Sequence, residues 1–159
     1  MELEELTEMF EQLGAPDPKA WAESQIREGI PQLARFMVIR ALWDCVAPSD
    51  STAWIDYELK NEAGCPHAKA MQEMIDAGVS REAIATLARF KGAEAIREAC
   101  YLLEDYTSVS QNIDPQTGEE RIRWSLRELD EDGKPKPYPI DGLHESFWNV
   151  DPAAKNRTG

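Results

Sequence analysis

From Leu3 to Tyr106 apolar residues recur every three or four positions, in stretches separated by Gly, Pro and Ser/Asp punctuation. From about residue 107 the spacing shortens to alternation and turn formers crowd together. A period near 3.6 belongs to helices with one buried face, and a period of two belongs to half-buried strands. The change of period therefore predicts a mainly α, single-domain helical bundle of five to seven helices over residues 1–106. A turn-rich β-hairpin and extended arm over residues 107–159 would pack on it. A chain of 159 residues is long enough to bury one substantial core.

The helix boundaries follow from punctuation. Leu3, Leu6, Phe10 and Leu13 form a first apolar stripe, stopped by Gly14 and Pro16. Asp17-Pro18 is an N-cap followed by proline at the first helical position, and Gly29-Ile30-Pro31 ends the second helix. From Pro31 to Val46 the pattern is apolar on nearly all sides, through Phe36, Met37, Ile39, Leu42 and Trp43, which predicts a central, surrounded helix. Ser51 or Thr52 can cap a fourth helix, Pro66 can open a fifth, and Ser80 can cap a sixth running to Tyr106. In that last helix Ile84, Leu87, Ala88, Ala95, Ala99 and Leu102 would point inward, and Lys91-Gly92 would mark a break.

In the tail, Arg121 to Leu129 alternates, with Ile122, Trp124 and Leu126 on one face, as a half-buried strand would. Asp130-Glu131-Asp132-Gly133 is a turn. Pro135, Pro137 and Pro139 restrict the segment after that turn to an edge strand or an arm.

The net charge is −13, and residues 1–30 hold eight acids against two bases. A field of that sign disfavours direct binding to nucleic acid or to anionic lipid and favours a basic protein partner. No apolar stretch is long enough to span a bilayer, and the acidic N-terminus lacks an apolar leader. Cys45, Cys65 and Cys100 are odd in number and widely spaced, as reduced thiols of the cytoplasm are.

The chemistry-bearing residues form few constellations. Glu2, Glu5, Glu8 and Glu11 load one short helix, together with Glu4, and are the candidate partner-binding face. Like charges three and four apart cost a helix about 0.2–0.5 kcal/mol per pair, a cost without a structural return. Arg40 and Asp44 lie four apart on the most apolar helix and would form a buried ion pair. Cys65-Pro66-His67 offers two soft ligands where zinc needs three or four, and the Glu128–Gly133 stretch lacks the closing glutamate of a calcium loop. No metal site and no cofactor are therefore expected. His144, Glu145 and Trp148 in the tail are further candidates for contact with a partner. His144 and Glu145 are adjacent to Ser146, but neighbours in sequence cannot form a catalytic relay. No catalytic residue is assigned.

Trp124-x-Leu126, the Asp130–Pro135 turn, Gly142-Leu143-His144-Glu145-Ser146 and Asp151-Pro152 recur together in one known setting, as does the stretch from Trp21 through Gly29-Ile30-Pro31 to Phe36. In these the chain resembles a family of small bacterial proteins with a C-terminal Gly-Leu-His-Glu-Ser motif and no assigned function. The family's last motif continues Asp-Pro-Thr-Gly, whereas Ala153-Ala154 stand here. The resemblance implies a cytosolic bacterial domain and supplies no substrate, cofactor or catalytic residue. The expected function is a non-enzymatic, acidic protein-binding domain, such as an inhibitor or immunity-type protein of a basic toxin. The alternatives are a nucleic-acid mimic that blocks DNA-binding machinery, and a small-metabolite enzyme using His144 with Glu145 or a site near Arg40 and Asp44. Oligomeric state is left open.

Overall fold

Asp17 closes the first orphan donors of its helix by accepting from the Ala20 amide at 3.1 Å, with Pro18 in the next position. Gly29 ends the same helix in the left-handed conformation, φ 72°. Such local devices set most of the helix ends in the computed structural model, which describes residues 2–154. The fold is mainly α. Among the described residues there are seven α-helices: α1 (Leu3–Gln12), α2 (Pro18–Glu28), α3 (Gln32–Trp43), α4 (Ala53–Asn61), α5 (Pro66–Asp76), α6 (Arg81–Glu104) and the short α7 (Leu143–Ser146). A two-stranded antiparallel hairpin, β1 (Arg127–Leu129) and β2 (Pro135–Pro139), precedes α7.

The chain groups into two compact units. One is Asp44–Ala95; the other combines the chain up to Trp43 with the chain from Ile96 onward. In the Asp44–Ala95 unit, Ile55, Met71, Ile84 and Ala85 form an aliphatic core against which Trp54, Leu59, Met74 and Ile75 pack. Arg81 pairs with Asp56 at 3.1 Å, and the Arg89 guanidinium donates to the Ala47 carbonyl at 2.8 Å.

The other unit is held by aromatics. Phe10, Trp21 and Phe36 bring α1, α2 and α3 together with ring centroids 5.5–5.9 Å apart. Trp43, at the end of α3, stacks on Phe147 at 4.4 Å, and its indole N–H donates to the Phe147 carbonyl at 2.9 Å. Ile140, Leu143 and Val150 complete that buried patch. Asn112 is buried and fully used: its amide donates to the Tyr106 and Ile122 carbonyls and its oxygen accepts from the Ile122 amide, closing the loop between them.

Several expectations are corrected. The helix α3 is not surrounded: Met37 is 52 % exposed, and burial follows the single stripe Gln32, Phe36, Ile39, Trp43. The helix α6 is not broken at Gly92, since one glycine is tolerated in a helix of 24 residues. Its inward face is not the expected one. Leu87 and Leu102 are exposed, while Ile84 and Ala85 are buried in its first part and Ala93 and Cys100 in its second. The strand expected over residues 121–129 is paired only at Arg127–Leu129, and Ile122 is 65 % exposed. Its partner strand carries prolines at 135, 137 and 139, which give no N–H to the ladder. Just beyond it, at Gly142, the chain turns into α7.

Candidate functional site

The buried stripe of α1 is Leu6 and Phe10, so every glutamate of the helix is turned outward. Glu2, Glu4, Glu5, Glu8 and Glu11 are all exposed, and none makes an ion pair or side-chain hydrogen bond among the described residues. Glu2 is the N-cap residue, in extended conformation and without a side-chain cap. Glu4, Glu8 and Glu11 follow one another at intervals of four and three and share one face. They line a shallow concavity with Leu3, Thr7 and Lys19. Glu4, which counts among the five acids of α1 but not among its four named binding residues, belongs to this ridge, whereas Glu5 and Glu2 flank it. Lys19 is directed to Glu23 on its own helix, at 3.7 Å.

The second constellation is built on the tail. Gly142 adopts φ 66° as it enters α7, and a Cβ there would meet the Arg35 guanidinium at 2.7–2.9 Å, so the position demands glycine twice over. Arg35 in turn pairs with Asp141 at 3.1 Å. The following two residues are gripped by Glu104, in the last turn of α6. One Glu104 oxygen accepts from the Leu143 amide and the other contacts His144 Nδ1. The Glu104 side chain is 7 % exposed and that of His144 25 %. The Tyr101 ring meets the imidazole edge-on at 5.0 Å. The carboxylate partner of His144 is thus Glu104 and not Glu145, which is exposed. No spacing rule links residues forty apart, and the only sequence signal for Glu104 was an acid in the last turn of a helix, where the macrodipole disfavours it unless it has a partner.

A carboxylate-oriented imidazole is also the arrangement of a general base. The thiol on the preceding turn of α6, Cys100, is buried, and burial with the Glu104 charge pushes its pKa up to about 11. It is protonated at neutral pH and is no nucleophile. Trp148 is 40 % exposed and lies edge-on to both Trp43 and Phe147, at 5.6 Å from each.

The expected buried pair of Arg40 and Asp44 is overturned by burial: Arg40 is half-buried, but Asp44 is exposed. The helix ends at Trp43, so Asp44 lies outside the regular turn that would bring residues four apart together. His67 contacts Glu58 at 3.0 Å, and Cys65 donates its S–H to Glu62 at 3.1 Å, which raises the thiol pKa. No group of three or more His, Cys, Asp or Glu side chains is placed to share an ion among the described residues. In the Asp130 turn, one carboxylate oxygen accepts from the Asp132 and Lys134 amides, as in a hairpin loop.

None of the helices, among the described residues, is long and apolar enough to cross a membrane. No family model matches the chain, and no curated protein or solved structure is significantly similar to it.

Proposed function

We propose that this is a non-enzymatic, acidic protein-binding domain whose α1 surface receives a basic protein, in the manner of an inhibitor or immunity-type protein of a bacterial toxin. The observation that carries the reading is the set of five exposed α1 glutamates without a basic partner among the described residues. Elsewhere acids are matched within the fold, as at Glu104, Asp56 and Asp141. A charged helix kept at a cost to its own stability fits a surface that is completed by a partner. The cytoplasm, where the free Cys45, Cys65 and Cys100 would stay reduced, is the proposed location.

The mimic reading is weaker on length. A helix of 10 residues spans about 15 Å, a short ridge beside the phosphate path of a duplex. The enzyme reading with Glu145 loses its acid, because Glu145 is exposed and the His144 ring is directed to Glu104. Glu104 is itself committed to a backbone amide, so the pair reads as an anchor for α7.

The test uses two baits in parallel, the wild-type protein and the Glu4→Lys/Glu8→Lys/Glu11→Lys variant, against an extract of the native host. The expected result is a basic protein held by the wild type, released by salt and not retained by the variant. The same proteins on both baits would reject the α1 surface.

A further inference from the structure

Loss of the expected partner leaves Arg40 in an unusual position. It stands near the end of α3, half-buried, and makes no hydrogen bond or ion pair among the described residues. It lines a cavity of about 620 Å³ bounded by the end of α1, by α3 and by the Asn149–Pro152 segment. The walls are apolar: Phe36 is fully buried, and Ala15 and Val150 are nearly so. The polar groups on the lining are few. Besides Arg40 there are the Asn149 amide and the Asp151 carboxylate, one oxygen of which already accepts from the Ala153 amide at 2.8 Å.

A guanidinium keeps its charge at every pH at which a protein folds, and a carboxylate matches its two parallel donors. A cavity of this size with apolar walls and a few convergent polar groups has the make-up of a small-molecule site. The charge around it narrows the class. Asp151 on the same lining and a net charge of −13 penalise each further negative charge on a ligand, so a monoanion is favoured over a phosphate dianion or a polyanion. We infer that this cavity binds a small monocarboxylate, with the carboxylate on Arg40 and a hydrocarbon or aromatic body against Phe36, Ala15 and Val150. The inference does not depend on what α1 binds.

Two carboxylates, hexanoate and phenylacetate, and their uncharged amides, hexanamide and phenylacetamide, test it by amide-resolved NMR titration of the full chain. The expected result is saturable shifts at Ala15, Arg40 and Val150 with either acid. Binding should weaken roughly tenfold for the matching amide and for Arg40→Met, the loss of one charge-assisted contact, with Arg40→Lys in between. The inference is overturned by any of three results: no saturable shift with either acid, equal binding of acid and amide, or shifts confined to other surfaces. If Arg40→Met fails to fold, the comparison of acid with amide on the wild-type protein decides alone.

Discussion

The helix α1 and the C-terminal tail both carry many charges, and they treat them oppositely. In the tail Arg121 pairs with Asp114, Arg123 with Glu120, Lys134 with Asp132 and Lys136 with Glu128, at 2.7–3.8 Å. Arg127 is spent on the Lys136 and Pro137 carbonyls, closing the hairpin. On α1 five glutamates have no such counterpart among the described residues. The tail's charges serve its own folding, since a segment with so little regular structure has few backbone bonds to hold it. The α1 helix is already fixed by Leu6, Phe10 and its aromatic neighbours, so its charges are available for an external use.

Mutations sharpen the contrast, the tail first. Trp43→Ala removes a side chain that is 2 % exposed, the stack on Phe147 and the bond to its carbonyl, and should cost about 3–5 kcal/mol in chemical denaturation. A loss under about 1 kcal/mol would mean the tail is not docked by this contact. Glu104→Ala leaves the Leu143 amide and the His144 ring without their acceptor and should cost about 2–3 kcal/mol. Glu145→Ala, next to the same histidine, should cost almost nothing, because Glu145 is exposed. Equal losses from the two would remove the distinction drawn between them. Gly142→Ala should cost about 1–2 kcal/mol from the left-handed backbone alone, with the crowding against Arg35 added to it. On α1 the sign reverses: Glu8→Gln should leave stability unchanged or raise it by a few tenths of a kcal/mol, as like-charge neighbours are relieved. A clear loss there would show that the ridge has a structural partner after all.

Acid should act on the tail in a definite direction. Asp105 is held below the ordinary carboxylate range, first by the Thr107 hydroxyl, and Glu120 likewise, first by its own backbone N–H and then by Arg123. Their folded pKa values lie below the unfolded ones. The stabilisation is therefore complete above the unfolded values and is lost as pH falls through the folded ones. Melting followed from pH 6 to about pH 3 should show tail amides losing exchange protection in that acidic window. Protection that grows as pH falls would have the wrong sign.

Much of the helical layout is legible in the sequence because its signals are local. Asp17-Pro18, Gly29, Pro66 and Ser80 act within one turn of where they stand, and each marks a helix end in the structure. The fold class, mainly α with a small hairpin near the C-terminus, follows from the change of period. The illegible part depends on distant partners. One stripe cannot describe α6, because its first part buries Ile84 and Ala85 in one unit while its second part buries Cys100 in the other. A periodicity read over 24 residues blends the two and selects Leu87 and Leu102, which are exposed. The Glu104–His144 contact and the roles of Asn112 and Arg35 likewise rest on chain segments brought together only by folding. Asp44 fails for the opposite reason: the i,i+4 rule assumes a helix that has already ended.

The reading of α1 as a partner surface is tested most directly by association kinetics. The basic protein retained by the wild-type bait would be mixed with wild type and with the Glu4→Lys/Glu8→Lys/Glu11→Lys variant at about 0.02 M and about 0.5 M salt, which take the screening length from roughly 20 Å to roughly 4 Å. The account predicts that the wild-type rate falls about tenfold or more between the two, while the variant associates slowly at both. Wild type and variant associating at equal rates, with the same dependence on salt, would contradict it.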